Sequence, residues 1–395
     1  MKEQDPATFN VYRTPGRARR KLGLIGCIAA PILLVSVTLA AIFVIVPALR
    51  PNALRGDFLS AVAVPGPGGG SLLWILSNGS IHYIKRVETP GRLSIARRCV
   101  SCKTWLYVYD PVRKKILSRF RTDYQALIIS SWMVLANGKI WVVTGPYDKN
   151  EPRLFIYNPE PAALLRETAD IIKDHPELNS GLIGVRMEKD PARLILDTRD
   201  GRTGLVLSLG DEQLFPGAAE FKAAFAPESD ETTTMFALGQ DGSGPRYLLY
   251  RLTGPKNILL ERNYEHFLRN LKTPAIWPNV AAEPAAPGRV FIEGVIFHQD
   301  ADSCLILHQD AAGKTADRLL TCLDRNGREK WTAPREALFK EMRVDTDEVP
   351  LSAIFFMKDD IGVSRSGDLI LLQLKGIGAI GFDFQTGKKL WEVKF

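Results

Sequence analysis

The feature that most limits the folds open to this chain is a succession of short apolar runs, from Leu72 onward, separated by tight-turn dipeptides. The runs are rich in Val, Ile, Tyr, Phe and Trp, and they flank Asn-Gly, Asp-Gly and Gly-Lys sequences. Glycine supplies the positive φ that a two-residue turn requires, so two such runs around one turn predict an antiparallel hairpin. Examples are SLLWILSNGSIHYIKRV, WMVLANGKIWVVTG, FALGQDGSGPRYLLYRL and SRSGDLILLQLKGIGAIGF. We therefore expect an all-β domain over residues 72–395.

Two of these hairpins carry the same motif. Segment 319–333 reads LLTCLDRNGREKWTA and segment 379–393 reads AIGFDFQTGKKLWEV. When one residue is inserted in the turn, the first segment matches the second at an aspartate, a glycine and a tryptophan: Asp324, Gly327 and Trp331 against Asp383, Gly387 and Trp391. Weaker copies lie at 106–120, 154–167 and 247–261, and segment 193–209 is a further candidate.

These segments resemble PQQ-like (quinoprotein-type) β-propeller repeats, whose outer strands read apolar-Asp-x-x-Thr-Gly-x-x-x-Trp. The resemblance implies that the carboxylate caps the turn, that the glycine forms its left-handed corner and that the tryptophan packs between blades. It also implies a β-propeller of about six to eight four-stranded blades. The final LWEVKF is expected to pair with strands near Leu72 and close the ring. Apolar residues at helical spacing predict short helical insertions at 161–174, 259–272 and 334–343.

A second constraint lies near the amino terminus, where residues 22–49 contain no charged side chain. About twenty apolar residues in a helix cross the hydrocarbon core of a bilayer, so this run predicts a transmembrane helix. Basic residues precede it and few follow it, which predicts a cytoplasmic tail at 1–21 and export of the remainder. The basic residues of the tail are Lys2, Arg13, Arg17, Arg19, Arg20 and Lys21.

Two other readings of the apolar run remain open. A cleaved signal peptide would give a mature chain beginning near residue 50, although the apolar core of such a peptide usually has only about 7 to 15 residues. Leu24-Ile25-Gly26-Cys27 is similar to a bacterial lipoprotein box, but the apolar run continues well past Cys27. A retained anchor is favoured. Residues 50–71, which include PGPGGGS, are then predicted to be a flexible linker.

The charge of the chain does not indicate nucleic-acid binding. Of the formal net charge of +7, the first 21 residues hold +4, with six basic and two acidic groups, which leaves +3 over the other 374 residues. The average charge of the exported part predicts no basic patch and no nucleic-acid partner.

The cysteines outside the apolar run form two pairs, and an oxidising compartment makes two disulfides plausible. Cys304 and Cys322 each lie in a strand-like run, so a bridge between them would close a hairpin. Cys99 and Cys102 form a CxxC sequence that leads directly into a strand-like run. This context favours a structural bridge in a loop over a redox site.

No catalytic residue, cofactor or metal site is predicted. The sequence contains no nucleophile elbow, phosphate-binding loop, HExxH or dinucleotide fingerprint in a matching context. The adjacent cysteines that commonly cover the cofactor in quinoprotein dehydrogenases are missing, and no Glu, Asn and Asp set can be transferred. The weak metal candidates are His298, Asp300, His308 and Asp310, because a His-Gln-Asp sequence occurs twice. The alternative is that these residues are the polar ends of two strands.

The predicted function is therefore a single-pass protein of the inner membrane whose periplasmic β-propeller acts as an interaction or scaffold module for an envelope protein. The alternative is a small-ligand sensor, or a degenerate quinoprotein-type enzyme, that uses the propeller channel. A non-enzymatic role is favoured, since loops from every blade of a propeller converge on one rigid face.

Overall fold

The structure is a computed structural model. It describes residues 53–67, 69–89, 92–124, 131–144, 152–189, 192–225, 232–241, 245–255, 259, 279–300, 302–312, 318–339 and 361–395, with side chains except at 80–103, 122–124, 131, 189, 225 and 335. Residues 54–395 form one compact unit. The predicted tail and transmembrane helix lie outside the described residues and remain predictions. No helix in the described ranges is long and apolar enough to cross a membrane.

Strands dominate the described part of the chain. They are β1 (Asp57–Pro65), β2 (Ser71–Thr89), β3 (Arg92–Asp110), β4 (Lys115–Tyr124), β5 (Ser131–Ala136), β6 (Lys139–Thr144), β7 (Arg153–Asn158), β8 (Ala163–Glu167), β9 (Leu182–Lys189), β10 (Ala192–Thr198), β11 (Leu205–Ser208), β12 (Leu214–Phe215), β13 (Thr232–Gln240), β14 (Arg246–Pro255), β15 (Ala281–Pro284), β16 (Val290–Gln299), β17 (Ser303–Gln309), β18 (Arg318–Asp324), β19 (Glu329–Ala333), β20 (Ile361–Ser366), β21 (Leu369–Leu374), β22 (Gly378–Asp383) and β23 (Lys389–Lys394).

The strands form antiparallel sheets in which neighbours along the chain pair with each other. Four sheets have four strands each: β1–β4, β5–β8, β9–β12 and β20–β23. A fifth sheet joins β13–β15 to β16–β19 through a three-residue contact between β14 and β16. The prediction of an all-β, propeller-type fold built from four-stranded antiparallel sheets is confirmed.

Apolar cores lie between successive sheets. Trp74 of the first sheet packs in a core shared with the second sheet, and Trp141 of the second packs in a core shared with the third. Trp331 lies in the core between β16–β19 and β20–β23. Tyr107 lies in the core between the first sheet and the last. The first sheet therefore packs against both the second sheet and the last one, as the closure of a propeller requires.

This closure uses packing and single hydrogen bonds instead of the predicted pairing of LWEVKF with strands near Leu72. β23 pairs with β22, and the ring of Phe395 lies 5.5 Å from that of Phe58. The Gly376 amide donates to the Phe58 carbonyl at 2.7 Å. The Ala61 amide donates to Oε1 of Gln373 at 2.6 Å, which satisfies a backbone donor on the otherwise unpaired edge of β1.

The predicted linker at 50–71 needs correction, because β1 lies within it. Residues Asp57–Pro65 pair with β2 over the register from Asp57↔Asn78 to Pro65↔Ser71. The glycine-rich sequence PGPGGGS is thus mainly the turn between β1 and β2. Only residues 50–56 separate the end of the predicted span from the first strand.

Helices are few and short. Within the predicted insertion 161–174, residues Ala163–Glu167 form β8, and only Thr168–Asp174 are helical (α1). A second helix, α2, spans Ala218–Phe225, and single 3-10 turns occur at Pro176–Leu178 and Arg335–Ala337. Apart from Leu259, the insertion predicted at 259–272 lies outside the described residues. Of the insertion predicted at 334–343, residues 334–339 are described, and they contain only the 3-10 turn Arg335–Ala337.

Candidate functional site

The two sharpest repeat motifs form similar turns. Asp324 Oδ1 accepts hydrogen bonds from the amides of Asn326 and Arg328 at 2.8 and 2.9 Å, and Gly327 has a φ of +78°. Asp383 Oδ1 accepts from the amide and the hydroxyl of Thr386 at 2.7 and 2.6 Å. In both turns the carboxylate accepts hydrogen bonds from backbone amides at the corner where the chain reverses direction.

The motif tryptophans pack between sheets. Trp331 Nε1 donates to the Phe384 carbonyl of the next sheet at 2.7 Å, and its ring lies over Gly387. A Cβ on Gly387 would lie 2.5 Å from that ring, so only glycine fits beneath it. Trp391 covers Gly381, its partner on β22 of the same sheet, and lies within the core that joins the last sheet to the first.

The predicted bridge between Cys304 and Cys322 is not formed, and both cysteines are free and buried. Cys304 lies opposite Leu323, and Cys322 lies opposite Leu305. Because residues on a strand alternate between its two faces, this register offset of one residue places the two thiols on opposite faces of the sheet. Cys304 accordingly packs in a different core from Cys322. Burial raises the pKa of the Cys322 thiol to about 12.

Cys99 and Cys102 both lie within β3, where their backbones pair with His82 and Ser80 of β2. The predicted position in a loop is therefore wrong. Their side chains lie outside the described part of the structure, so a bridge between them stays a prediction.

The two His-Gln-Asp segments do not meet. His298 lies opposite Leu305 in the strand register, on the face toward the last sheet. His308 packs edge-on against Phe291 at 5.2 Å, on the other face. The two histidines thus lie on opposite faces of one sheet. In the described ranges, no group of three or more His, Cys, Asp or Glu residues is arranged to hold a metal ion. The remaining weak candidate, Asp310, lies just after the end of β17.

Asp300 instead belongs to a surface that we call the turn cluster, formed by Asp300, Asp302, Lys330, Arg365 and Phe384, and His298 lies beside it. Arg365 donates to Asp300 at 3.1 Å and lies 3.6 Å from Asp302. Its guanidinium stacks 3.6 Å from the Phe384 ring centroid, and Lys330 Nζ lies 3.7 Å from the same ring. The cluster therefore joins the β16–β17 turn, β19, the end of β20 and the β22–β23 turn.

Asp300 is held as a carboxylate in this cluster. Burial favours its neutral form, but hydrogen bonds from the Asp302 amide, from Ser303 and from Arg365 outweigh burial and lower its pKa. His298 Nε2 lies 3.3 Å from the same carboxylate. Asp302 points outward, with 70 % of its side chain exposed, whereas Arg365 is only 19 % exposed. A partly buried cation thus lies beside one exposed carboxylate.

A separate small pocket lies at the other end of β16. Its polar lining residues are Glu293, His308, Gln309 and Arg318, and its apolar ones are Val295, Phe297, Leu307 and Ile361. Glu293 has a φ of +49°, an unusual value for a residue with a side chain, and its carboxylate accepts from Gln309 Nε2 at 2.6 Å. Burial lowers the pKa of Arg318, and the charge of Glu293 opposes that shift. The cavity holds about 20 Å³, which is the size of a water molecule and too small for a quinone or a sugar.

The His308 ring is fixed in one tautomer. Its Nδ1 lies 2.9 Å from the Gln309 carbonyl, which can only accept, so Nδ1 carries the proton. Nε2 lies 2.9 Å from the Thr321 hydroxyl. Burial lowers the pKa of His308, so the neutral ring is favoured. These contacts indicate a satisfied structural histidine.

A third surface lies on β3 and β4, close to the start of β1. Trp105 and Tyr107 stack at 6.2 Å between their ring centroids. The Arg119 guanidinium lies 5.5 Å from the Trp105 ring and 5.3 Å from the Tyr107 ring, and Arg121 lies 5.4 Å from Trp105. Both arginines are exposed, whereas Trp105 is half-buried.

Sequence reasoning missed the arginines of these sites. Arg365 precedes an ordinary Ser-Gly-Asp turn, and nothing local indicates that it reaches across to a neighbouring sheet. The alternation of Trp105 with Tyr107, and of Arg119 with Arg121, was a detectable signal, because residues two apart share one face of a strand.

No protein-family model and no curated protein sequence matches the chain. Solved structures with some likeness include dihydro-heme d1 dehydrogenase NirN in complex with DHE, at 11% identity and a TM-score of 0.20 over 74% of this chain and 51% of that one. BamB from Moraxella catarrhalis has 10% identity and a TM-score of 0.17, over 85% and 68%. The WD40 domain of SCAP from fission yeast has 9% identity and a TM-score of 0.23, over 83% and 82%. Likeness at this level carries no argument about function, so the propeller-type fold rests on the sheet order and the packing between sheets.

Proposed function

We propose that the chain is a single-pass inner-membrane protein whose periplasmic propeller-type domain binds another protein of the cell envelope through the turn cluster. The observation that carries this proposal is the joining of turns from two adjacent sheets by Arg365, with an exposed acidic residue at the rim. Interfaces that bind proteins combine arginine and aromatic groups with a polar rim in this way. The cluster rests on two sheets that pack against each other, β16–β19 and β20–β23, so the surface is preorganised.

The cluster faces away from the point at which the chain joins the domain. Gly376, between β21 and β22, bonds to Phe58 at the start of β1. Arg365 lies at the other end of β20 and β21, beside the turn that connects these two strands. An anchored chain would thus hold one end of the domain near the bilayer and present the turn cluster at the opposite end.

We also infer that the repeats are degenerate members of the quinoprotein-type family and that β13–β15 and β16–β19 are two separate blades, which gives six blades in the described part of the chain. Support comes from the matching turns of Asp324 and Asp383 and from the tryptophans that pack between sheets. Only three residue pairs join β14 to β16, against nine between β13 and β14 and seven between β17 and β18.

The anchoring is tested separately from the binding. The full chain is expressed in a bacterial host, and one sample of its membranes is washed with alkaline carbonate. A separate sample of cells is treated with protease before and after the outer membrane is opened. Retention in the carbonate pellet, together with cleavage of the domain only after the outer membrane is opened, is expected. Release of a chain that begins near residue 50 would contradict the anchoring.

The binding is tested by a charge swap that keeps the net charge constant. The double variant Asp302→Lys with Lys330→Glu reverses the rim, and the matched control, Arg251→Glu with Glu283→Arg, swaps an exposed ion pair on β14 and β15. After chemical crosslinking in membranes, the partner recovered with the wild type is expected to fall at least about fivefold for the rim swap only. Equal recovery with both variants would refute the turn cluster as the site.

A further inference from the structure

The β2–β3 hairpin extends far beyond its sheet. β1 pairs with β2 only as far as Asn78, and β4 pairs with β3 only as far as Cys102. The two long strands continue to pair with each other up to Thr89↔Arg92. At about 3.3 Å per residue, the eleven residues from Gly79 to Thr89 extend roughly 35 Å past the start of β1. Residues 80–89 and 92–103 are called the basic ribbon here.

The basic ribbon concentrates the charge of the domain. Its sequence has six basic residues, Lys85, Arg86, Arg92, Arg97, Arg98 and Lys103, against one acidic residue, Glu88, for a net charge of +5. Residues 22–395 have a net charge of only +3. The residues of that part outside the ribbon therefore have a net charge of −2. The low average charge of the domain predicted no basic patch, but the positive charge is concentrated in this one hairpin.

More cationic groups surround the base of the ribbon. Arg119 and Arg121 of β4 are exposed beside the half-buried Trp105. The Tyr107 hydroxyl accepts from the Arg55 amide at 3.1 Å, and the Ser77 hydroxyl donates to the Arg55 carbonyl at 2.7 Å. These bonds fix the chain just before β1, so the point of attachment lies at the base of the ribbon.

We propose that this end of the first sheet, formed by the basic ribbon with Trp105, Arg119 and Arg121, binds anionic lipid headgroups. The inference rests on the proposed membrane anchoring. Residues 50–56, which separate the predicted span from β1, can extend at most about 25 Å, so the anchor keeps this end close to the bilayer. Each Lys or Arg near an anionic surface adds favourable binding free energy, and tryptophan favours the interface between lipid and water.

The length of the ribbon also indicates a supporting surface. A two-stranded hairpin is only marginally stable in water unless a third strand or another surface covers it. Over residues 81–101 the described strands give this hairpin no third partner. A charged lipid surface supplies that support where the ribbon projects.

The test uses the full chain in lipid nanodiscs that contain a nitroxide-labelled headgroup quencher. One set is neutral phosphatidylcholine, and the other contains about 30 % phosphatidylglycerol. The fluorescence of Trp105 is obtained by subtracting the signal of the Trp105→Phe variant. Quenching of Trp105 is expected to be at least about twofold greater in the anionic discs and to fall in about 0.5 M salt, because salt screens exposed charges.

Three paired variants sharpen the result. Arg119→Gln with Arg121→Gln is expected to lose the extra quenching, whereas Arg119→Lys with Arg121→Lys keeps it because the charge remains. Arg113→Gln with Lys115→Gln removes two charges at the opposite end of the β3–β4 hairpin and is expected to have no effect. Loss of the chain from both kinds of disc would overturn the anchoring and this proposal together. Retention with equal quenching in the two lipids, or an effect of the control pair equal to that of Arg119 and Arg121, would overturn this proposal alone.

Discussion

The β22–β23 turn and the β3–β4 turn have the same carboxylate cap but different residues at the left-handed corner. In the first, Asp383 holds the Thr386 amide, and Gly387 has a φ of +68°. In the second, Asp110 Oδ1 accepts from the amides of Val112 and Arg113 at 3.0 and 2.9 Å. There the corner residue is Lys114, with a φ of +53°.

The surroundings of the two corners explain this difference. The Trp331 ring of the adjacent sheet closes over Gly387, whereas the side chain of Lys114 is exposed. The carboxylate is therefore enough to set the turn, and glycine is required only where a neighbouring sheet packs on the corner. A repeat can therefore lose its corner glycine and still keep its turn where no ring of a neighbouring sheet covers the corner.

The largest effect is expected from Trp331→Ala, which removes the ring that joins two sheets and leaves the Phe384 carbonyl without its donor. The free energy of unfolding should fall by about 3–5 kcal/mol. Trp331→Phe keeps most of the packing but loses the hydrogen bond to the Phe384 carbonyl, so the free energy of unfolding should fall by about 1–3 kcal/mol. Urea unfolding followed by circular dichroism measures both, and a loss below about 1 kcal/mol for the alanine variant would refute the role given to the ring.

Gly387→Ala is expected to lower the free energy of unfolding by about 2–4 kcal/mol. The backbone φ at this position is unfavourable for alanine, and the new methyl group would overlap the Trp331 ring. The matched change Lys114→Ala occupies the same kind of corner without that ring and should stay within about 0.5 kcal/mol of the wild type. The same unfolding experiment compares the two. Equal losses at both corners would show that packing does not decide where glycine is needed.

Acid should weaken the β22–β23 turn. Hydrogen bonds from the Thr386 hydroxyl and amide lower the pKa of Asp383 in the folded state. The stability that this group contributes is then fully present above the unfolded-state pKa of about 4 and is lost as the pH falls through the lower folded-state value. When the free energy of unfolding is measured from pH 6 down to pH 2.5, it should fall less for Asp383→Asn than for the wild type. An unchanged slope would contradict the cap.

The smallest effect is expected from Lys114→Gly. Glycine relieves the left-handed strain of about 1–2 kcal/mol but loses about 0.5–1 kcal/mol through greater freedom in the unfolded chain. A net gain of about 0.5 kcal/mol should appear as a small rise in the urea midpoint at unchanged slope. A destabilised variant would show that the lysine side chain supports the turn.

Much of the fold could be predicted from the sequence, because tight turns are local. The glycine-centred hairpins around Gly138 and Gly367 and the repeated motif near Asp324 and Asp383 depend on neighbours in the chain. β1 was missed because its apolar run lies directly before the turn sequence PGPGGGS. Its strand structure is shown by its pairing with β2, which the local sequence does not reveal. The linker therefore appeared longer than it is.

The sites were harder to predict, since they depend on register and on contacts between sheets. A register offset of one residue separates Cys304 from Cys322, and the residues that join their strands do not reveal it. The contact of Arg365 with Asp300 crosses between sheets and leaves no pattern in the sequence. The reach of the basic ribbon became visible only when the shorter partners of β2 and β3 were known.

The most direct test of the central claim is site-specific photo-crosslinking of the full chain in its membrane. A photoreactive amino acid replaces Asp302 in the turn cluster or, as a control, Val112, which is 73% exposed in the β3–β4 turn. The account predicts one defined crosslinked protein from position 302 that is weak or missing from position 112. Crosslinks of equal strength at both positions, or none at position 302 in membranes that retain the anchored chain, would contradict a protein-binding role for the turn cluster.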